Sequence, residues 1–273
     1  MRSPSVRLRT RRALLLLAVS FVLLGVPACF VELDRPAPSD AGDASALDSD
    51  APESPPPTYG GPSRCDAGAF VFCDGFEQGL GAWTQSADGD GGGTVAVDST
   101  HVARGEFAFH SKLSPVGTAG ATMRAYLSHG QAWPQRISVR FFVYLSPSGA
   151  HASVTNVLNL NDTTPSIGTT IFLTGSAAGD IAIDTFGVPN AMFNHVGVLP
   201  QNEWACLELA VDGMNAQVWM NDTPIVTIGF VADVPNILVG LGLNFVGGKT
   251  GDGEYDAWFD ELAIAGDHIG CNR

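Results

Sequence analysis

Short runs of alternating apolar and polar residues recur along the chain from residue 69 to near its end. Alternation over roughly four to eight residues marks a strand with one face buried. Thirteen such runs stand out, at 69–74, 94–98, 106–113, 121–127, 136–145, 153–160, 169–174, 179–186, 203–212, 216–221, 224–230, 237–244 and 256–264. Turn dipeptides lie among the later runs: Asp212-Gly213, Asn221-Asp222, Gly247-Gly248 and Asp252-Gly253. No apolar pattern of helical period is sustained for three turns. Many short strands with frequent turns predict an all-β chain, a two-sheet antiparallel β-sandwich or jelly roll. The 209 residues of 65–273 are enough for one sizeable core.

The pattern changes upstream. Arg2, Arg7, Arg9, Arg11 and Arg12 precede an apolar stretch from Ala13 to about Val26. That is about 14 residues, against the roughly 20 a membrane span needs. Residues 1–28 therefore read as a targeting segment. The stretch ends V-P-A-C at Val26–Cys29, which resembles the lipobox of bacterial lipoproteins. The resemblance implies cleavage before Cys29 and attachment of acyl chains, such as palmitate, to that residue. Several chains on one cysteine give stable anchoring to a bilayer where one is marginal. The other reading is an ordinary signal peptide that leaves Cys29 free. Residue 30 is Phe, not the aspartate that resembles an inner-membrane retention signal, so an outer-membrane or cell-surface location is expected, with a periplasmic face also possible. Residues 29–64 are rich in Pro, Ser, Ala and Asp, cannot bury a core, and are expected to form an extended, disordered spacer.

Charge narrows the partners. The formal net charge is −14, and without residues 1–28 it becomes −19, from nine basic and 28 acidic residues. Residues 65–273 alone hold seven basic and 21 acidic residues. Nucleic-acid binding rests on neutralising phosphates with Lys and Arg, so it is excluded here. Strongly anionic polymers are disfavoured, and a neutral glycan or a cation is the easier partner. With Cys29 set aside, Cys65, Cys73, Cys206 and Cys271 remain. An even number in an exported chain reads as two disulfides with three possible pairings. Cys65–Cys73, clamping the domain's entry, and Cys206–Cys271, tying the end of the chain to a strand, are the expected pairs.

Three stretches resemble a known fold. Phe72–Trp83 (F-C-D-G-F-E-Q-G-L-G-A-W) looks like the opening of exported carbohydrate-binding jelly rolls. Asn202–Ile225 resembles a hairpin of concanavalin A-like and laminin-G-like lectin and glucanase sandwiches. Tyr255–Ala265 resembles their closing strand. They occur in the expected order from one end of the domain to the other. In such folds the first and last strands pair, and acids from both often hold a structural Ca²⁺. The matching positions are Asp74, Glu77 and Asp260, with Asp256 and Glu261 nearby. Clustered carboxylates can supply the six to eight oxygens Ca²⁺ takes. The same acids can instead bond turn amides. Asp88 and Asp90 also look like a calcium loop, but the downstream glutamate is missing and a flexible hairpin tip is the favoured reading.

A glycan face needs aromatic platforms and planar polar side chains. Arg124, Tyr126, Arg140, Tyr144, Asn159, Asp184 and Trp219 are the candidates, because alternation puts Arg140 and Tyr144 on one side of their strand and Arg124 and Tyr126 on one side of theirs. Trp133 is either a platform or a lid over the core edge. No E-x-D-x-E pair for glycoside hydrolysis occurs. A lyase-like set can be drawn from Tyr126, Tyr144, His110, Arg124 and Arg140, without the local motifs of such enzymes. The sequence thus points to non-catalytic carbohydrate binding. A structural or protein-interaction module on the same fold, or a diverged polysaccharide lyase or glycoside hydrolase, are the alternatives.

Overall fold

In the computed structural model, the described residues are 59–65, 70–89, 92–115, 117–118, 121–148, 155–162, 168–173, 179–186, 193–213, 215–229, 237–248 and 251–272. The targeting segment, Cys29, Asp90 and the spacer up to residue 58 lie outside them. The described residues form fifteen strands in two antiparallel sheets. The sandwich is a jelly roll.

The strands are β1 (Phe72–Asp74), β2 (Thr84–Gly89), β3 (Gly93–Asp98), β4 (Ala108–Leu113), β5 (Ala121–Gly130), β6 (Ile137–Ser148), β7 (Thr155–Asp162) and β8 (Gly168–Leu173). They continue as β9 (Asp180–Phe186), β10 (Phe193–Val198), β11 (Trp204–Val211), β12 (Asn215–Met220), β13 (Thr223–Gly229), β14 (Ile237–Gly248) and β15 (Glu254–Ala265). The eight-stranded sheet runs β13-β12-β11-β6-β15-β4-β3, with β1 also on β15. The seven-stranded sheet runs β10-β9-β8-β7-β14-β5-β2.

The core lies between the sheets and follows the alternation. Ile137, Val139, Phe141, Val143 and Leu145 of β6 face Ile237, Val239, Leu241 and Leu243 of β14 within one apolar cluster. The intervening residues of each strand must then point away from the core. β15 departs from this rule. Its pairing with β6 slips between Asp260 and Ala263, and Glu261 has φ 50°. This bulge sits where the neighbour on one edge of β15 changes from β4, opposite Tyr255–Phe259, to β1, opposite Leu262–Ile264. It sends two successive acids, Asp260 and Glu261, to the outer side. The first and last strands therefore pair, as the resemblance implied.

Both expected disulfides are present. Cys65 is bonded to Cys73, and Cys206 on β11 is bonded to Cys271. Together they hold both ends of the domain against the outer face of the eight-stranded sheet. Tyr59 stacks edge-on against Phe142, and its hydroxyl donates to Asn221 Oδ1 at 3.0 Å. The Asn221-Asp222 turn has φ 50° and 64°, the double left-handed form of a two-residue hairpin. Its exposed Asp222 side chain catches the tail, Oδ1 accepting from the Cys271 amide at 2.7 Å. The Gly247-Gly248 dipeptide ends β14 rather than forming a turn of its own.

Candidate functional site

The outward side of the seven-stranded sheet collects polar side chains in cross-strand rows. On β5, Ala125 and Leu127 enter the core, leaving Arg124, Tyr126 and Ser128 outside. The register carries one row from Ser128 through Gly240 of β14, Asn159 of β7 and Thr170 of β8 to Asp184 of β9. A second row joins Arg124 to Asn244 and Asn156. Four of the expected residues, Arg124, Tyr126, Asn159 and Asp184, thus share this face.

Glycine shapes the centre of the face. A Cβ on Gly240 would lie 1.6 Å from the Tyr126 hydroxyl and 2.2 Å from the ring carbon that bears it. The Tyr126 ring therefore lies across β14 at Gly240, and its hydroxyl reaches the Asn159 side chain on β7, with which it hydrogen-bonds. Burial pushes the Tyr126 phenol up to about 12, against the opposing pull of the Asn159 bond and the Arg124 charge. Asn159 is only 4% exposed, and its Nδ2 has no hydrogen-bond partner among the described residues. The Oδ1 atoms of Asn161 and Asn244 are likewise buried without one. An unmet buried donor or acceptor costs about 1–3 kcal/mol, so such atoms favour a ligand that supplies partners. Burial also raises the Asp184 carboxyl, partly offset by the Thr185 amide.

The other three expected residues lie on the opposite sheet, facing outward. Arg140 is fully buried beneath the chain ends, with its Nη2 3.7 Å from Glu261 Oε2. Tyr144 stacks on His101 with ring centroids 4.0 Å apart and meets Trp204 and Trp258 edge-on. Trp219 stacks on His268 at 4.6 Å. His110 also belongs to that sheet, between Asp98 and Asp256 at 2.9 and 2.8 Å. Arg140, Tyr144 and His110 therefore do not join Arg124 and Tyr126, and the lyase-like set is not assembled. The reason is that alternation fixes which side of a strand a residue takes, while the pairing of strands decides which sheet carries it. Trp133 is a lid: it is 4% exposed and its Nε1 donates to the Ile237 carbonyl at 2.6 Å.

The three acids expected to hold a cation are not brought together either. Asp74 accepts from the Phe76 amide at 2.7 Å and from Trp83 Nε1 at 2.8 Å. Glu77 Oε1 accepts from the amides of Glu106 at 2.9 Å and Phe107 at 3.3 Å. Asp260 accepts from the amides of Ala103 and Arg104, both at 2.9 Å, and of Glu261 at 2.7 Å. Their oxygens serve loop amides, and no group of three His, Cys, Asp or Glu side chains among the described residues is placed to hold a metal ion.

Desolvation raises the Asp260 carboxyl to about 7, the neighbouring Glu261 charge adds to that rise, and the three amides oppose it. A carboxyl raised in the folded state binds its proton more tightly there than in the unfolded chain. Its stabilising contribution is full below the unfolded value of 3.8 and is lost as pH rises through about 7. The urea midpoint is expected to fall over that window, and the fall to be shallower in Asp260→Asn. An equal slope in both proteins would contradict the assignment.

No family model matches the chain, and no curated protein sequence does. Among solved structures, it is similar to a cellulose-induced protein, at a TM-score of 0.58 and 21% identity, over 74% of this chain and 100% of that one. It is also similar to an endo-β-1,4-glucuronan lyase from the fungus Trichoderma reesei, at a TM-score of 0.57 and 16% identity, over 72% of this chain and 96% of that one. The likeness is one of fold.

Proposed function

We propose that this is an exported, lipid-anchored protein whose jelly roll binds a polysaccharide, without cleaving it, on the outward face of the seven-stranded sheet. The observation that carries the reading is the Tyr126 ring laid across Gly240 onto Asn159, whose amide nitrogen lacks a partner among the described residues. An aromatic surface beside unmet amide atoms suits a hydroxyl-rich, neutral chain. The acidic domain disfavours a polyanion. The names of the two similar structures, one induced by cellulose and one acting on glucuronan, lend support to a carbohydrate partner. Anchoring through Cys29, at the outer membrane or cell surface, rests on the sequence alone.

A lyase is the second reading, favoured by Arg124 and Tyr126 on one face, with the Arg124 charge acting on the phenol. A general base works best with a pKa near the operating pH. A phenol pushed to about 12 and held by Asn159 is poorly placed for that task.

Pull-down of the full-length protein by insoluble cellulose, xylan, mannan and chitin tests the proposal. At least one polymer should retain it, with no ultraviolet-absorbing unsaturated product released. Gly240→Ala, which pushes the Tyr126 ring off its seat, should weaken retention about tenfold or more, and Tyr126→Phe about two- to tenfold. Metabolic palmitate labelling should depend on Cys29. Retention of none of the four polymers would refute the binding reading, and release of unsaturated product would establish the lyase instead.

A further inference from the structure

We infer that the eight-stranded sheet carries a second, separate binding cleft, around Trp219, that takes a single neutral sugar ring. On the outward side of this sheet the register aligns Thr227 of β13, Gln217 of β12, Ala210 of β11 and Ser138 of β6 in one row. Two small side chains, Ala210 and Ser138, leave a depression in the middle of the row. The segment after β15, at 266–268, walls it on one side. Its volume is about 260 Å³. That lies just below the range of pockets for drug-sized ligands, roughly 300–1,000 Å³, and suits one ring rather than an oligosaccharide.

The lining matches a polyhydroxylated ring. Trp219 supplies an aromatic wall, and His268 is stacked on it. The wall is fixed from below, because Glu208, 1% exposed, holds His268 Nδ1 at 3.0 Å and accepts from the amides of Ile269 at 2.7 Å and Gly270 at 2.8 Å. The Ser138 hydroxyl donates to the same carboxylate. Gln217 and Asn215 offer amides, Thr227 a hydroxyl, and Arg136 and Asp212 charged groups at the other end. With Asp267 at the rim, two carboxylates stand against one guanidinium, so an anionic ligand is disfavoured. A ring with several hydroxyls can bond the amides and hydroxyl while one apolar side rests on the indole. The Trp219 cleft and the Tyr126 face lie on opposite outer sides of the sandwich, so one domain can engage two glycan segments, and the combined affinity then exceeds either alone.

The test uses saturation-transfer NMR on the full-length protein with glucose, galactose, mannose and xylose as probes. One ring with a few hydrogen bonds binds in the millimolar range. At least one sugar is expected to give a signal that Trp219→Ala weakens about tenfold. Ala210→Leu, which fills the floor from the solvent side and leaves the core alone, should do the same. Gly240→Ala should leave the signal unchanged. Absence of signal from all four sugars, or a signal that persists in Ala210→Leu, would overturn the cleft. A signal lost in Gly240→Ala instead would assign the sugar to the other face.

Discussion

Arg140→Met alone is expected to lower the unfolding free energy by about 3–5 kcal/mol, the cost of leaving one member of a buried ion pair without its partner. Arg140 and Glu261 are both fully buried. The guanidinium donates to the Glu261 carbonyl at 3.2 Å and the Gly270 carbonyl at 3.4 Å, and it lies 5.3 Å from the centre of the Phe142 ring. Burial pulls it down to about 10, with the Glu261 charge opposing that pull, so it stays charged at neutral pH. Glu261 in turn accepts from the Arg64 amide at 2.9 Å. One pair therefore joins a central strand, the β15 bulge, the entering chain and the tail. Arg104 is also buried nearby, so two guanidiniums and two acids, Asp260 and Glu261, share this layer. Arg140→Met removes a positive charge from that balance. Adding Glu261→Gln removes the stranded negative charge and should recover most of the loss. Urea unfolding would show it as a shifted midpoint with an unchanged slope. A loss below about 1 kcal/mol in the single variant would mean that water reaches Glu261 and solvates it.

Arg140 also shows where sequence reading reached its limit. All thirteen expected strands are present, because half-buried strands write their periodicity directly into the chain. The two that escaped, β2 and β10, have compositions that hide them. T-Q-S-A-D-G has no apolar alternation and forms an edge strand, and F-N-H-V-G-V is interrupted by Gly197 at φ 150°. Arg124, Tyr126, Asn159 and Asp184 share a face because each is an outward residue of the same sheet. Arg140, Tyr144 and Trp219 have the same local pattern and lie on the other sheet. Nothing within one strand distinguishes the two cases, since sheet membership is set by long-range pairing. The Tyr126–Gly240 fit was equally hidden: Gly240 gains its meaning only opposite Ser128 and Asn159. The β15 bulge is a third example. Two adjacent acids facing the same way break the strand rule, and Asp260 serves loop amides that lie over 150 residues away in sequence.

Replacing Cys206 and Cys271 together by Ala is expected to cost about 4 kcal/mol. The bond closes a loop of 65 residues, and the entropy withheld from the unfolded chain grows with the logarithm of loop length. Removing Cys65 and Cys73, whose separation is eight, should cost about 2–3 kcal/mol by the same relation. The consequences for binding differ more than the stabilities do. Cys271 ends the segment that carries His268, Ile269 and Gly270 onto Glu208. Without the bond, that segment is held by non-covalent contacts, among them hydrogen bonds to Glu208, Asp222, Arg140, Arg104 and Arg64 and the stacking of His268 on Trp219. Its opening would dismantle one wall of the Trp219 cleft and leave the Tyr126 face, on the other sheet, as it was. Sugar binding at the cleft should therefore fall in the Cys206/Cys271 variant at temperatures where the protein is still folded, while polysaccharide retention through Tyr126 persists. Parallel loss of both would show that the two faces depend on one cooperative core, and that the tail's role is stability alone.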